Sequence, residues 1–217
     1  MNAVIRPDGR RFVRARDLPG AIAGELFCTV DESDADAIAL CERLSFVVNR
    51  RESRFLIPTD PDVTGLRAAS VPGGFALVRA DEVDLDRLRL LDDALRQDVP
   101  GTDGWRWDEA GFRAEFDGAF DPATYLIAVD EATGEYAGLV RVWRNPSGPR
   151  LGMIGVLRRY RRRGLARALL ARAFAVLHGQ GLAEVSTEID DANVASNALL
   201  QPLGARRTGG SVELVRR

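Results

Sequence analysis

The chain of 217 residues is poor in the residue types that build metal and redox sites. It has two cysteines, Cys28 and Cys41, and one histidine, His178. Because no two cysteines stand at a CxxC spacing, the sequence argues against a structural zinc site, and no metal is expected. We expect both cysteines to be reduced core residues, as in a cytoplasmic protein, although a disulfide between them is also compatible with the sequence.

Long apolar runs and a charge excess are lacking as well. No apolar run reaches the roughly 20 residues of a membrane-spanning helix, and the first residues, MNAVIRPDGRR, lack the apolar centre of a signal peptide. The formal net charge is only −2, which gives no overall bias towards nucleic acid or an anionic membrane. We therefore expect a cytoplasmic globular protein that binds neither membranes nor nucleic acids.

The most informative stretch predicts a strand, a basic turn and a helix. An apolar run at 151–156 is followed by five arginines within 158–163 and then by Gly164. After Gly164, apolar residues recur at spacings of three and four, which is typical of a helix with one buried face. These apolar residues are Leu165, Ala168, Leu169, Ala173, Val176 and Leu177.

Such a turn can bind an anion. The N–H groups in the first turn of a helix have no intrahelical partner, and the helix macrodipole adds positive charge there. Together they favour a phosphate. Gly164 lets the backbone approach a ligand closely, and Ala166 keeps the next outward position small. A solvated basic turn would have the same composition, whereas a nucleic-acid site would need interleaved aromatic residues, which the turn lacks.

The hexapeptide RRRGLA at 161–166 fits the pattern Arg/Gln-x-x-Gly-x-Gly/Ala and resembles the GNAT superfamily of N-acetyltransferases. The resemblance implies that this turn cradles the pyrophosphate of acetyl-CoA, whose product is CoA. It also implies that the end of the preceding strand and an asparagine at the start of a later helix hold the pantetheine arm. The cofactor-binding residues implied are Val156, Leu157, Arg161, Arg162, Arg163, Gly164, Leu165, Ala166 and Asn193.

The predicted element order from residue 74 onwards is strand, two helices, three strands, helix, strand, helix and strands. The second helix is predicted over 108–120, and 206–215 as two strands around a Gly-Gly turn. This order is similar to that of a GNAT domain and covers about 74–217. The resemblance implies an α/β (α+β) fold with a mixed, mostly antiparallel central sheet and helices on both faces. Two parallel strands are expected to splay apart and form the CoA slot.

Residues 1–60 contain a second strand–helix–strand pattern. TVDESDADAIALCERLSF at 29–46 aligns without gaps with EIDDANVASNALLQPLGA at 188–205. We interpret 1–60 as a partial, degenerate GNAT-like repeat without the phosphate turn, as in tandem GNAT proteins. The Pro- and Gly-containing stretch 61–73 is predicted to be a linker, and 74–217 the acetyltransferase domain. Chance similarity of two strand–helix–strand units is the alternative.

Amine acetylation needs a base, because a primary amine is mostly protonated at pH 7. Glu188 is our candidate base, with Glu184 and Glu135 as weaker candidates, although a lone carboxylate is also typical of a solvated surface. Many family members carry a tyrosine as general acid where this chain has Leu200, which cannot donate a proton. Ser196 is the candidate donor in its place, and the amide of Asn197 is an alternative. Asn193 is predicted to cap its helix, which is compatible with a cofactor contact. Backbone N–H groups near 156–157 are expected to polarise the thioester.

The loop after the first predicted helix lies where the resemblance places the family's substrate-binding loop. Its candidate substrate-binding residues are Asp98 and Trp105, near Asp103 and Trp107. Acids and aromatics suit an amine, although tryptophans also pack loops onto a core. The sequence therefore predicts an N-acetyltransferase that transfers the acetyl group of acetyl-CoA to a primary amine of a small molecule or peptide by direct attack, as a monomer or homodimer. The alternative, raised by Leu200, is a catalytically weak or inactive acetyl-CoA-binding regulatory or structural protein.

Overall fold

One sheet of ten strands dominates the part of the chain that the computed structural model describes, residues 3–18, 24–102, 104–116 and 120–217. The order across the sheet is β1-β2-β3-β10-β4-β9-β8-β7-β6-β5. Neighbouring strands are antiparallel except for β2 with β3 and β8 with β9, which confirms the expected mixed, mostly antiparallel sheet. The strands are β1 Val4–Ile5, β2 Arg11–Val13, β3 Leu26–Asp31, β4 Val47–Pro58, β5 Phe75–Arg79, β6 Tyr125–Asp130, β7 Tyr136–Asn145, β8 Gly148–Val156, β9 Glu184–Asp190 and β10 Arg206–Arg216.

The α-helices start in two different ways. In four of those described, an Asp or Asn side chain accepts a hydrogen bond from the N–H three residues on, which caps the helix. The helix after β8 starts at Gly164 without a side-chain cap, so its first N–H groups need another partner. The helices are α1 Ala35–Arg43, α2 Leu85–Arg96, α3 Glu109–Ala114, α4 Leu165–Gly179 and α5 Val194–Leu200.

Helices cover both faces of the sheet, as expected. On one face Leu126 of β6 belongs to a core with Phe174 of α4. On the other face the next residue, Ile127, belongs to a core with Leu88 of α2. Successive strand residues point to opposite faces, so β6 is buried on both sides. None of the helices in the described ranges combines the length and apolar character that a membrane crossing requires.

Both cysteines lie in a third core, between α1 and strands β3 and β10. They are free thiols with no exposed surface, as expected from the sequence. Burial, with a further contribution from Cys41, raises the pKa of Cys28 to about 12. The thiolate form of Cys28 is therefore strongly disfavoured at neutral pH.

The two strand–helix–strand units exchange their last strands. β4 of the first unit lies between β9 and β10 of the second, and β10 lies between β4 and β3. If β3 is exchanged with β9 and β4 with β10, the order β3-β10-β4-β9 is recovered, read from the other end. This pseudo-symmetry concerns the strands alone, and the division into 1–60, a 61–73 linker and 74–217 stays a prediction. The first unit supplies a strand to the sheet of the second instead of forming a sheet of its own.

Three local predictions differ from the structure. Residues 206–216 form one strand, because a register shift between Arg207 and Gly209 absorbs the glycines where two strands were predicted. Helix α3 ends at Ala114, and positions 117–119 of the longer predicted helix lie outside the described residues. The short strands β1 and β2, which the sequence analysis missed, extend the sheet beyond β3.

Deletion of residues 1–60 is expected to abolish cooperative unfolding. Without β4, the backbones of β9 and β10 lose their shared neighbour, and unpaired strand edges are costly and prone to association. Circular dichroism melts of the full and shortened chains check this. A shortened chain that melts cooperatively within a few degrees of the full chain would show that 74–217 folds without the exchanged strand.

Candidate active site

The sheet opens between the parallel strands β8 and β9. In the described part of the chain they pair at one register position, Arg150 with Ser186. Two side-chain hydroxyls hold the strands together at this end. Ser186 Oγ donates to Pro149 O at 3.1 Å, and Thr187 Oγ1 donates to Leu151 O at 3.0 Å. A cavity of about 370 Å³, here called the main cavity, is lined by residues of both strands, in agreement with the expected splay.

Strand β8 bulges where it borders the main cavity. Arg141 of β7 pairs with Met153, but the next residue, Val142, pairs with Leu151, so Gly152 is the extra residue. A Cβ at position 152 would collide with the Trp143 ring, so this position requires glycine. Because a bulged residue is not paired in the ladder, Gly152 offers backbone groups at the cavity wall.

The expectation that backbone N–H groups near 156–157 polarise the thioester needs correction. Leu157 N donates to Ala137 O at 2.8 Å, so this proton already has an acceptor. The carbonyl of Val156 accepts from Arg161 Nε at 2.8 Å. The Gly152 bulge is therefore the better candidate for that role. Val156 still lines the smaller cavity described next, whereas Leu157 does not.

The turn between β8 and α4 gathers unpaired backbone donors. Arg162 and Gly164 both have left-handed backbones, with φ of 63° and 88°. Within the described ranges, no residue accepts a hydrogen bond from the backbone N–H groups of 162–167. These donors lie at the positive end of a 15-residue helix. They border a cavity of about 240 Å³, here called the turn cavity, lined by Val156, Tyr160, Arg161, Arg162, Gly164, Leu165, Ala166 and Arg167.

Carboxylates neutralise three of the five turn arginines. Asp98 forms ion pairs with Arg158 and Arg161, and Glu135 forms one with Arg159. Glu135 also accepts a hydrogen bond from Tyr160 Oη at 2.7 Å. The remaining two, Arg162 and Arg163, form no ion pair with a carboxylate that the structure describes. The turn therefore keeps two guanidinium groups beside its free N–H groups.

Asp98 has a different position from the one expected for a substrate-binding residue. Its carboxylate accepts hydrogen bonds from Arg158 and Arg161, the latter at 2.7 Å, and it does not line the main cavity. The hydrogen bond from Arg158 is the main cause that holds the pKa of Asp98 below its usual range, and that from Arg161 adds to it. The contacts of Asp98 are those of a residue that positions the basic turn.

Helix α5 brings three of the predicted residues to the main cavity, Asn193, Ser196 and Leu200. Asn193 Oδ1 accepts from Ser196 N at 3.1 Å, so the predicted cap is confirmed. Leu200 is buried in the core and offers no proton. The Ser196 hydroxyl donates to no described residue. Asn197, an alternative donor, is occupied because its amide donates to Asp190 O and Asn193 O.

The carboxylates on the wall of the main cavity are ion-paired. Glu188, the predicted base, lies 2.9 Å from Arg150 and 3.4 Å from Arg54. Glu52 pairs with Arg50 at 2.6 Å. Asp190 is the third lining carboxylate and also faces Arg50, at 3.3 Å. The wall thus presents proton acceptors held in place by guanidinium groups. Groups of acidic, Cys or His residues that could hold a metal ion are absent from the described part of the chain.

The sequence analysis missed that the first unit contributes to this site. Arg6, Arg50 and Glu52 line the main cavity together with residues of β8, β9 and α5. Glu52 is placed there because it pairs in register with Asp190. The spacing of residues in the sequence does not reveal a contact between Glu52 and Asp190. This contact arises because β4 of the first unit pairs with β9 of the second.

Trp105 lines the main cavity, as predicted for a substrate-binding residue. Its ring lies 4.7 Å from the Arg96 guanidinium and 5.2 Å from the Trp107 ring. Trp143 forms another part of the wall and stacks against Arg150 at 5.1 Å. The neighbouring Asp103 lies outside the described residues. The cavity therefore combines flat aromatic surfaces with arginine side chains.

The match to a family model covers the turn, α4, β9 and α5. Residues 89–205 match the model described as "Acetyltransferase (GNAT) family". This match spans more than half of the chain. The chain therefore belongs to the GNAT acetyltransferase family, as the resemblance of the basic turn implied.

Two curated relatives are mycothiol acetyltransferases. That of Salinispora arenicola (strain CNS-205) is 36% identical over 118 residues, which are 51% of this chain and 38% of that protein. That of Salinispora tropica is 34% identical over 114 residues, 49% of this chain and 37% of that protein. The chain thus spans less than half the length of these relatives.

Two solved structures share the fold. A GCN5-related N-acetyltransferase from Sphaerobacter thermophilus has a TM-score of 0.76 at 18% identity and covers 99% of this chain and 75% of its own. A tandem GNAT protein from the clavulanic acid biosynthesis pathway has a TM-score of 0.66 at 21% identity, and the match covers 88% of this chain and 63% of that protein. At these identities the likeness shows the fold alone.

Gly164→Glu is expected to abolish acetyl-CoA binding, measured by calorimetry. A side chain at φ 88° strains the backbone, and a carboxylate beside the free N–H groups repels phosphate. Gly181→Glu is the matched control, because Gly181 also has a positive φ but lies beyond the opposite end of α4. Unchanged affinity in a folded Gly164→Glu protein would contradict the placement of the phosphate site.

Proposed function

We propose that this protein is an acetyl-CoA-dependent N-acetyltransferase in which a primary amine attacks the thioester directly. The observation that carries the proposal is the run of free backbone N–H groups at 162–167, next to Arg162 and Arg163 without carboxylate partners. Such a combination fits the diphosphate of CoA. The mycothiol acetyltransferase relatives and the GCN5-related N-acetyltransferase with the same fold agree with this reaction class.

The chain offers a continuous set of residues for the cofactor. The turn from Arg161 to Ala166 would hold the phosphates. The pantetheine arm would follow Val156 and pass the end of α5 at Asn193 towards Gly152. Val156 and Asn193 each line one of the two cavities, which supports this path. Of the residues implied by the family resemblance, Leu157 fits least well, because its N–H is already bonded within the sheet.

Bound acetyl-CoA would supply the activated acetyl group, and the chain would supply the proton transfers. Glu188 would accept a proton from the acceptor ammonium, with Glu52 as a second carboxylate on the same wall. The Ser196 hydroxyl would donate a hydrogen bond where the departing thiolate develops, in place of the tyrosine that Leu200 replaces. The backbone at the Gly152 bulge would face the carbonyl oxygen of the acetyl group.

The acceptor in this proposal is a primary amine of a small molecule or peptide. The main cavity, at about 370 Å³, falls within the size range of small-molecule sites. Its carboxylates and tryptophans suit an ammonium group. A cytoplasmic location and a monomeric or homodimeric state belong to the same proposal.

Thiol release from acetyl-CoA across a panel of primary amines tests the proposal. Glu188→Gln is expected to lower kcat about 10²-fold, because amine deprotonation loses its acceptor. Glu184→Gln is the matched control on the same strand, since Glu184 is exposed and pairs with Arg206 outside the cavity. Both variants should keep the affinity for acetyl-CoA.

Two results would contradict this account at different points. Binding of acetyl-CoA without thiol release on any amine would indicate an acetyl-CoA-binding protein without transferase activity. Equal activity of Glu188→Gln and Glu184→Gln would leave the transferase in place but remove Glu188 as the base. Ser196→Ala, assayed in parallel, distinguishes the proton donor from the base. Loss of the Ser196 hydroxyl should lower activity without shifting the part of the pH–activity profile that depends on ionisation of the base.

A further inference from the structure

Arg6 is held at the wall of the main cavity by a closed turn between β1 and β2. Arg6 N donates to Arg10 O at 3.0 Å, and Gly9 N donates to Arg6 O at 2.8 Å. Arg10 in turn donates to Gly101 O, which attaches the turn to the loop after α2. The Arg6 guanidinium lies 3.7 Å from the centroid of the Phe12 ring, a cation–π contact that orients its plane.

Arg6 differs from the other arginines on this wall because its guanidinium is not part of an ion pair. Arg50, Arg96 and Arg150 are each ion-paired, with Glu52, Asp92 and Glu188 among their partners. Arg6 forms no ion pair with any carboxylate in the described ranges. Burial is the main cause that lowers the pKa of Arg6, and the charges of Arg10 and Arg50 add to it, while those of Glu213 and Asp8 oppose it. A partly buried guanidinium outside any ion pair is costly, so an anion in the cavity would be stabilised there.

Further donors on the same wall lack acceptors. Trp105 Nε1 and Arg50 Nε are both buried and have no hydrogen-bond partner among the described residues. Buried donors are rarely left unpaired in folded proteins. These two donors and the Arg6 guanidinium belong to residues that line one cavity, which favours a ligand rich in acceptor oxygens.

Building on the function proposed above, we propose that the acceptor amine also carries a carboxylate, and that Arg6 binds this carboxylate. The acceptor class is then the amino acids. An arginine fork matches the two oxygens of a carboxylate. A phosphate fits less well, because Glu52, Glu188 and Asp190 on the same wall would repel a dianion more strongly. The same carboxylates suit the ammonium end of the acceptor, where Glu188 would act as base.

Calorimetry in the presence of CoA tests this proposal without requiring turnover. Common amino acids are titrated beside their neutral C-terminal carboxamides, so that each pair differs in the carboxylate alone. The best amino acid is expected to bind at least about tenfold more tightly than its carboxamide, the discrimination that loss of a charge-assisted hydrogen bond produces. Arg6→Gln should remove this preference, and Arg6→Lys should retain part of it.

Arg14→Gln is the matched control, since Arg14 is an exposed arginine of the same segment that does not line the main cavity. It should preserve the preference, and all variants should keep their affinity for CoA. Carboxamides that bind as tightly as amino acids, an Arg6→Gln protein that keeps the preference, or no binding by any amino acid would each overturn the proposal. Turnover only of amines that carry no carboxylate would overturn the proposal while leaving the N-acetyltransferase function intact. Amino-acid binding without thiol release would instead contradict the transferase function.

Discussion

The separation of β8 from β9 is the constraint on which the rest of the site depends. Two parallel strands that paired along their whole length would close the sheet and leave no cleft. Here they pair at Arg150 with Ser186, and the hydroxyls of Ser186 and Thr187 reach across to carbonyls of β8. These contacts hold the strands at one end only. The main cavity occupies the gap, and the Gly152 bulge places backbone groups at its wall.

The exchanged strand β4 stabilises the edge of β9 that faces away from this gap. Because β9 pairs with β8 at one position only, its main backbone partner is β4 of the first unit, from Glu52 to Pro58. The first unit thereby completes the sheet and also brings Arg50 and Glu52 to the cavity. A segment that lacks its own phosphate turn still contributes side chains to the site of the second unit. We therefore expect the two units to depend on each other in both stability and ligand binding.

Charge around the cofactor turn is organised by specific pairing. Asp98 and Glu135 neutralise three of the five arginines and tie the turn to the loop after α2 and to the residue before β7. Arg162 and Arg163 form no ion pair within the described ranges and adjoin the N–H groups that α4 leaves free. On this basis we propose that a run of arginines in a nearly neutral chain forms a local anion site.

The sequence predicted those parts of the molecule that depend on local patterns. The basic turn, the apolar spacing of α4 and the cap at Asn193 all follow from neighbouring residues, and each is present in the structure. The mixed sheet followed from the family resemblance. Contacts between distant segments were beyond such reasoning. Arg6 reaches the cavity only because β1 and β2 extend the sheet, and Glu52 only because β4 is exchanged.

Asp98 shows the same limit in another way. Its place in the loop after α2 indicated a substrate contact, because the family's substrate loop lies there. Its ion pairs with Arg158 and Arg161 depend on the packing of that loop against the basic turn. Composition alone could not indicate that packing, since acids and arginines are abundant throughout the chain.

Hydrogen–deuterium exchange with and without acetyl-CoA tests the central claim most directly. We expect acetyl-CoA to slow exchange of the backbone amides at 162–167, because the phosphates would accept hydrogen bonds from N–H groups that are otherwise free. Amides at the far end of α4 should change little. Binding of acetyl-CoA that leaves 162–167 unprotected, with protection elsewhere, would contradict the placement of the cofactor in the cleft between β8 and β9.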